Sequence, residues 1–231
     1  MGASLSTVMR TQPEPAAARD GAKIERAYQQ LKKDIMSGVY SPNERLVEAP
    51  LTRVLGISRN TLRTVLARLE HESLVVLEPN RGGRVRAFSL AEAHDMLRVR
   101  EVLEGLVAAL AADRATTAQR ARLKEIVAET EQALEDDDVL RSSALNRQFH
   151  DLLAEAAGSP QAASTLDALH FPLEKFQFQV ALVPGRKQEN LAEHRALVRA
   201  IETRDITAAE QAGRRHVERI RSTLERLGPP G

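Results

Sequence analysis

Residues 51–86, LTRVLGISRNTLRTVLARLEHESLVVLEPNRGGRVR, contain the pattern from which the architecture of the chain follows. Two short runs with apolar residues at helical spacing flank a Gly-Ile-Ser turn, and Ser58 is a good N-cap for the second run. Along that run apolar residues recur at intervals of three and four, so that one face of a helix can be buried. These residues are Leu62, Val65, Leu66 and Leu69. The pattern predicts a helix-turn-helix.

The opposite face of the second helix carries polar side chains suited to a nucleic acid. Arg59, Asn60 and Arg63 lie within its first turn and a half. In the major groove of duplex DNA, Arg pairs best with guanine and Asn with adenine, and both types also contact phosphates. The sequence therefore predicts that this helix reads double-stranded DNA in the major groove.

A β-hairpin is predicted directly after this helix, because two β-prone runs flank the turn-forming sequence Glu-Pro-Asn-Arg-Gly-Gly of residues 78–83. Asn80 and Arg81 would lie at the tip of this wing, near the DNA backbone or the minor groove. Gly82 and Gly83 would allow positive φ and close approach to a phosphate. The same elements could form a packing module with solvated arginines. A Ser-Arg-x-x-x-Arg helix start followed by a basic Gly-Gly wing favours DNA binding.

Length and composition restrict the class of protein. A chain of 231 residues is long for one small domain and fits two. Hydrophobic residues make up 42% of it, but Trp is absent and aromatic residues are only 3%, which favours cores of Leu, Val, Ile and Ala in helix-on-helix packing. The absence of Cys excludes disulfides, thiolate nucleophiles and Cys-type zinc sites within the chain.

Hydropathy gives no sign of a membrane segment. No apolar run approaches the ~18 residues that would cross a bilayer. The first residues also lack the continuous apolar core of a secretory signal. We therefore expect a cytoplasmic protein with no membrane partner.

The charges of the chain are divided unevenly. The net charge is only +1, but residues 23–88 hold 12 Lys and Arg against 7 Asp and Glu, whereas residues 89–231 hold 19 against 23. The basic surplus coincides with the helix-turn-helix. This asymmetry is typical of a DNA-binding domain joined to a second domain of another kind.

Three segments follow from the patterns along the chain. Residues 1–22 are rich in Pro, Ala and polar residues without periodicity, which predicts a disordered tail. Residues 23–88 form the winged helix-turn-helix domain, and residues 89–231 form a second, helical domain that opens with a Ser89-Glu92 capping box. The helices predicted in the second domain cover about residues 90–112, 118–136, 139–157, 160–182, 187–203 and 206–227. The fold class is therefore mainly α, with three helices and a small β-hairpin wing before an all-α bundle of about six helices.

The first domain resembles a known family. The string IMSGVYSPNERLVEAPLTRVLGISRNTLRTVLARLEHESLVVLEPNRGGRV, residues 35–85, is similar to the winged helix-turn-helix of GntR-family transcription regulators. The chain departs from the family at several positions, among them Asn43 for the usual Gly and Thr61 where many members have Pro. The resemblance implies that the DNA-binding residues are Ser58, Arg59, Asn60, Thr61 and Arg63 on the recognition helix and Arg81 and Gly82 in the wing.

Residues 91–227 resemble the FCD domain, the ligand-binding domain of the FadR-like branch of that family. The resemblance implies that residues 89–231 are the effector-binding and dimerisation domain. The similarity includes the segment Asn146-x-x-Phe-His150, the pair Glu193-His194, and His216. In many members a carboxylate and three imidazoles at these positions bind a divalent metal. The resemblance therefore implies a metal site formed by Asn146, His150, His194 and His216. Imidazole ligands suit Zn²⁺ or Ni²⁺. Asn146 replaces the usual Asp, and an amide oxygen is a neutral and weaker ligand.

The residues alone leave the roles of these polar side chains open. Asn146 and His150 are four apart on one helix face, but a helical His is more often a surface or hydrogen-bonded residue. Arg100 can bind the carboxylate of an effector, or it can pair with Glu101 or Glu104 of its own helix.

The function predicted from these features is that of a transcriptional regulator, most simply a repressor. Two copies would grip a pseudo-palindromic operator as a homodimer, and a small carboxylic acid in the bundle would modulate DNA binding. One alternative is a metal-responsive sensor, in which the ion itself is the signal. A metal-dependent enzyme with a DNA-binding appendage is disfavoured because the chain has no His-Glu-x-x-His or equivalent motif. We therefore expect that the protein is not an enzyme.

Overall fold

The computed structural model describes residues 16–78 and 82–228, and the chain divides between Ala87 and Phe88 into two units. The described elements of the first unit are α1 (Ala16–Met36), β1 (Arg45–Leu46), α2 (Glu48–Leu55), α3 (Arg59–His71), β2 (Val75–Glu78) and β3 (Gly82–Val85). Those of the second are α4 (Leu90–Arg114), α5 (Thr117–Glu135), α6 (Val139–Ala157), α7 (Pro160–Ala181), α8 (Arg186–Glu202) and α9 (Ile206–Leu227). The predicted fold, a winged helix-turn-helix before an all-α bundle, is confirmed.

Helix α1 begins earlier than the sequence pattern indicated. It starts at Ala16, so residues 16–22, which were predicted as the end of a disordered tail, are helical. The physical reason is helix propensity: three successive Ala residues are the best helix formers, and the single Gly21 costs only about 1 kcal/mol relative to Ala. Residues 1–15, the rest of the predicted tail, lie outside the described residues.

The recognition helix α3 has the predicted buried face. Leu62, Val65, Leu66 and Leu69 are each at most 1% exposed. The preceding helix α2 ends at Gly56, which adopts the left-handed conformation with φ of 64° and so turns the chain sharply before α3. Burial of the stripe fixes the rotation of α3 about its axis, and the polar face is thereby turned outward.

The wing belongs to a three-stranded antiparallel sheet in the order β1-β3-β2. Two glycines of β3 are required by packing. Gly82 has a φ of +81°, and a Cβ on it would lie 2.8 Å from the backbone oxygen of Leu46. A Cβ on Gly83 would lie 2.7 Å from Cγ1 of Val75. Only Gly82 has the positive φ that was predicted for the pair, and Gly83 is a buried residue of an extended strand.

Helix α4 packs against α6, α7, α8 and α9 and is central to the bundle. It approaches α9 very closely. A Cβ on Gly213 of α9 would lie only 2.6 Å from the backbone oxygen of Glu104, and one on Gly105 of α4 would lie 2.7 Å from Cγ of Arg214. The two glycines therefore allow backbone contact between α4 and α9 at the level of Glu104.

Two apolar clusters fill the bundle, and polar residues lie between them. Along α4, Leu97 belongs to one cluster and Val107 to the other, with the buried Glu104 between. Along α9, His216 lies in the same way between Ala212 and Val217. A layer of buried polar groups thus crosses the middle of the bundle. No helix in the described part of the chain is both long enough and apolar enough to span a bilayer.

Candidate DNA interface and candidate metal centre

The recognition helix presents three polar side chains to solvent. Arg59, Asn60 and Arg63 are exposed. The Arg63 Nε atom lies 3.3 Å from Oε1 of Glu48 in α2, while 67% of the Arg63 side chain remains accessible. An exposed ion pair of this kind contributes at most about 1 kcal/mol, so a DNA base or phosphate can displace it.

The other two residues predicted on this helix are bonded to each other. The Ser58 hydroxyl oxygen accepts a hydrogen bond from the backbone N–H of Thr61 at 3.1 Å, and the two hydroxyl oxygens lie 2.9 Å apart. These bonds satisfy a backbone donor of the first turn of α3. Ser58 therefore caps the helix, and Arg59 and Asn60 are the first two residues of α3.

In the wing, Gly82 is described and Arg81 lies outside the described residues. The neighbouring Arg84 is held within the sheet, since its Nη1 donates to the backbone oxygen of Asn43 at 2.6 Å and its Nε to Glu78 at 3.2 Å. The structure thus gives Gly82 a packing role that does not depend on DNA, and its contact with DNA stays a prediction.

Three imidazoles from three helices converge inside the second unit. His150 of α6, His194 of α8 and His216 of α9 each offer a ring nitrogen, and these nitrogens lie within 4.8 Å of one another. His194 and His216 are buried, and His150 is half-buried. His71 and His170, which the sequence could not distinguish from them by spacing, are not part of this cluster.

The donors in this cluster suit a divalent metal. The His194 ring stacks on Phe149, with centroids 4.1 Å apart and planes inclined by 14°. Its Nε2 atom is buried and has no hydrogen-bond partner among the described residues. A buried nitrogen in this state costs about 1–3 kcal/mol of desolvation, which a metal ion bound to its lone pair would offset.

Asn146 and Arg100 lie in the same region. Asn146 lines a cavity together with His150 and His216, and its Oδ1 accepts a hydrogen bond from Nδ2 of Asn190 at 3.0 Å. Arg100 lines that cavity too, but its guanidinium is paired with Glu104, at 2.7 Å from Nε and 2.6 Å from Nη2. The pairing left open by the sequence is therefore present, and Arg100 still faces the cavity.

Two buried carboxylates next to the imidazoles were missed in the sequence. Oε2 of Glu104 lies 3.7 Å from Nδ1 of His150, and Oε2 of Glu193 lies 2.7 Å from Nδ1 of His216. Glu193 is in turn held by the buried Arg186 through two hydrogen bonds of 3.0 Å. Charged residues in helices are ordinarily solvent-exposed, so no local pattern indicated burial. The signals were the adjacency of Glu193 to His194 and the spacing of four residues between Arg100 and Glu104.

Burial and charge set the protonation of these groups. Burial lowers the pKa of His150 to about 4 and holds the pKa of His194 well below its ordinary value. Burial alone would raise the pKa of Glu104, but the Arg100 guanidinium and the neighbouring imidazoles outweigh it, and the pKa is about 2. At neutral pH, therefore, His150 and His194 are neutral and competent as ligands while Glu104 is ionised.

Two cavities adjoin the imidazoles, and their linings differ in charge. One, of about 640 Å³, is lined by four acidic residues, Glu104, Asp151, Glu155 and Asp167, and by one arginine, Arg100. The other, of about 300 Å³, is lined by four cationic residues and one acidic residue, together with several amide and hydroxyl side chains. The charged residues are Arg100, Arg147, Arg186, Lys187 and Glu174. The smaller cavity is thus the better site for an anion.

Two protein-family models match the chain. The model described as "Bacterial regulatory proteins, gntR family" matches residues 23–85, and the model described as "FCD domain" matches residues 95–219. The two matches fall in the first and the second unit, respectively.

Similar proteins cover most of the chain. The HTH-type transcriptional regulator YdhC of Bacillus subtilis is 27% identical over 80% of this chain and 83% of its own length. The HTH-type transcriptional repressor RspR of Escherichia coli is 24% identical, with coverage of 88% and 89%. Among solved structures, E. coli McbR/YncC has the same fold, with a TM-score of 0.69, 20% identity and coverage of 89% of this chain and 98% of its own. These relatives are transcriptional regulators, which supports the prediction that the chain is not an enzyme.

Proposed function

The chain belongs to the GntR-family DNA-binding transcription regulators that carry an FCD domain, and from this premise we propose that a small carboxylic acid, bound beside a divalent metal in the bundle, modulates its binding to an operator. The observation that carries the proposal is the convergence of three imidazoles on the wall of a cationic cavity. The repressor role is proposed by analogy with RspR, whose name states it.

For the metal, we propose that His150, His194 and His216 are the ligands, with the Asn146 amide oxygen as a weaker fourth donor. Zn²⁺ and Ni²⁺ are the preferred ions because all three strong donors are imidazoles. When bound, such an ion supplies a Lewis-acidic centre to which a carboxylate can coordinate. The residues of the chain position the acid and compensate its charge.

For the effector, we propose the cavity of about 300 Å³. An acid of this size would reach the imidazoles at one end and the cationic side chains of Arg100 and Arg147 along the wall. Arg100 can bind it through hydrogen-bond donors that Glu104 does not occupy, since a guanidinium has five. Amide and hydroxyl groups in the lining, among them Gln177 and Ser143, can bind further polar groups of the ligand.

For DNA, we propose that two copies bind a pseudo-palindromic operator through α3 and the wing. One recognition helix reads only a few base pairs, so two symmetric copies about one helical turn apart provide the required specificity. Val99, Val102 and Leu106 form an exposed apolar stripe on α4, with 45–51% of each residue accessible, and we propose this stripe as the surface for self-association. Such a stripe is suited to an isologous contact between two bundles.

The proposal is tested by measuring the effects of metal and of acid on operator affinity separately. Metal content is measured on untagged protein, an operator is selected from random duplexes, and its affinity is then titrated by fluorescence anisotropy with metal, acids, or both. We expect acids to change operator affinity only when metal is present. A response to metal alone would favour the sensor alternative, and no response to any combination would overturn the effector site.

A matched pair of variants sharpens this test. His216→Ala removes one proposed ligand, whereas His170→Ala removes an imidazole that lines the same cavity but lies outside the cluster. We expect only His216→Ala to weaken metal binding, and with it the dependence of the acid response on metal. Both variants should bind the operator normally without effector, because the winged domain is a separate unit.

A further inference from the structure

Two chains of charged side chains lead from the cavity wall to the imidazole cluster. One is Arg100–Glu104–His150 and the other is Arg186–Glu193–His216. In each, an arginine neutralises a buried carboxylate, and the carboxylate faces Nδ1 of an imidazole. The distance from the carboxylate to the ring is 3.7 Å at His150, too long for a hydrogen bond, but 2.7 Å at His216. The second chain is therefore the tighter of the two.

The Glu193 carboxylate is unusually well held. Its two oxygens each accept a hydrogen bond of 3.0 Å from the Arg186 guanidinium, and both side chains are almost fully buried, at 4% and 6% exposure. Arg219 approaches the same carboxylate at 3.4 Å. Bidentate pairing restrains a carboxylate in rotation as well as position. Glu193 can thus act as a rigid acceptor for one particular ring nitrogen.

We propose, on the basis of the metal site proposed above, that the Arg186–Glu193 pair is a positioning element that keeps the proton of His216 on Nδ1 and so reserves Nε2 for the metal. A neutral imidazole carries its proton on one nitrogen only, and the nitrogen that donates to an acceptor is the protonated one. A carboxylate that accepts from Nδ1 selects this tautomer and fixes the ring plane. Loss of such a partner in metal sites typically weakens metal binding 10–100-fold.

A role in stability alone would account for the salt bridge between Arg186 and Glu193. It would not require the additional hydrogen bond from Nδ1 of His216 to Glu193. Arg186 already donates a hydrogen bond to each oxygen of Glu193. The hydrogen bond from His216 is therefore not needed to neutralise the charge of the Glu193 carboxylate. The consequence that distinguishes the two roles is the tautomer of one ring. That property can be read in metal-free protein.

The first measurement uses wild-type protein without metal. Two-bond ¹H–¹⁵N correlation spectra at pH 8 report which imidazole nitrogen of each histidine carries the proton, and His216→Gln identifies the signals of that ring. We expect His216 as the Nδ1–H form alone. The Nε2–H form, or a mixture of the two, would overturn the proposal without any further variant.

The second measurement compares Glu193→Gln with Glu189→Gln. Glu189 lies on the same helix and faces the same Arg186 at 4.0 Å, but its carboxylate is on the exposed side. A Gln at 193 can accept or donate, so we expect a mixture of His216 tautomers and Zn²⁺ affinity about 10–100-fold lower by competition with a chelating dye. Glu189→Gln should change neither. Wild-type affinity and a single Nδ1–H tautomer in folded Glu193→Gln would contradict the proposal.

The outcomes separate this inference from the metal proposal itself. If wild-type protein binds no Zn²⁺ or Ni²⁺, the metal proposal fails, and the reservation of Nε2 for a metal fails with it. If metal binds but the wild-type tautomer is the wrong one, only the positioning role fails. If Glu193→Gln does not fold, the wild-type tautomer spectrum decides.

Discussion

Asn146 is the single residue on which the character of the proposed metal centre depends most. With three neutral imidazoles and a neutral amide, a bound ion keeps its full double positive charge, whereas an Asp at this position would reduce it to one. Electrostatic attraction scales with the charge that remains uncompensated, so an anionic effector gains more from the metal here. The same argument predicts that the metal itself is held less firmly.

The first prediction is that Asn146→Asp tightens metal binding and weakens binding of the acid. The new carboxylate keeps the acceptor role toward Asn190, so the local structure should persist. Calorimetric titration with Zn²⁺, and then with candidate acids, measures whether the metal affinity rises and the acid affinity falls. Ser143→Asp, which adds the same charge to the same cavity one turn earlier, is the control. Equal effects of the two variants on Zn²⁺ affinity would contradict ligation of the metal by residue 146.

The second prediction is that Arg63→Ala weakens operator binding by roughly 1–3 kcal/mol, the value of one good base contact. The side chain is mostly exposed, and its removal leaves the buried stripe of α3 intact. Anisotropy titration at fixed salt measures the effect. Arg141→Ala removes an exposed arginine from α6 of the second unit and should leave affinity unchanged. An Arg63→Ala affinity equal to wild type would refute the proposed orientation of α3 on DNA.

At the scale of elements, close backbone contacts at glycines position both candidate sites. The wing is held near β1 because Gly82 has no Cβ, and α4 touches α9 because Gly213 has none. These contacts cannot be replaced by side-chain packing, since the atom that would clash is a backbone oxygen in both cases. Single added methyl groups therefore test each arrangement.

The third prediction is that Gly82→Ala destabilises the winged domain more than Gly38→Ala. Both residues have positive φ, at +81° and +77°, and share the conformational cost of about 1–3 kcal/mol, but only Gly82 also has a backbone oxygen 2.8 Å from the added Cβ. Urea denaturation followed by tyrosine fluorescence reports this unit alone, because both tyrosines, Tyr28 and Tyr40, lie in it. Equal losses of unfolding free energy in the two variants would show that β1 can move away from the added Cβ of residue 82 at no cost.

The fourth prediction is that Gly213→Ala impairs metal binding whereas Gly105→Ala is better tolerated. The Cβ at residue 213 would meet the backbone oxygen of Glu104 at 2.6 Å and push α9 away from α4. The Cβ at residue 105 would meet Cγ of the Arg214 side chain at 2.7 Å, but its nearest backbone atom, the oxygen of Glu210, is 3.2 Å away. Circular dichroism establishes folding, and Zn²⁺ titration measures the site. Equal metal affinities of both variants would contradict the role of the close α4–α9 contact.

For the molecule as a whole, helix α4 links two proposed functions. One side of it contributes Arg100 and Glu104 to the cavity region, and another carries the exposed stripe of Val99, Val102 and Leu106. A ligand that alters α4 would therefore act on a helix that also lies in the proposed interface between copies. The basic surplus in residues 23–88 would attract DNA to the winged domains of the proposed dimer.

The fifth prediction concerns assembly. The protein should sediment as a dimer of 25.5 kDa chains at micromolar concentration, and Val102→Glu should shift it to monomer and weaken operator binding. Val139→Glu places the same charge at an equally exposed apolar residue of α6 and should leave the dimer intact. Monomeric wild-type protein, with or without DNA, would refute the proposed symmetric operator complex.

Features determined by neighbours in sequence were predictable. The Ser89-Glu92 capping box, the Pro160 start of α7 and the left-handed Gly158 end of α6 are made by groups within a few residues, and the predicted bounds of the bundle helices agree with them to within about two residues. The buried stripe of α3 and the hairpin followed from periodicities of 3.6 and 2. The early start of α1 was missed because polar residues without periodicity concealed an Ala-rich helix start.

Only the tertiary structure determined the surroundings of the imidazoles. Glu104 meets His150 and Glu193 meets His216 across 46 and 23 positions of sequence, and the burial of Arg186 has no local signature. In a sequence such residues look like solvated charges, because burying one is favourable only when its partner is buried with it. That partner is supplied by the packing of α4, α6, α8 and α9. The sequence by itself therefore specified the helices and their polar residues. The packing of the helices decided which charged residues share a buried site.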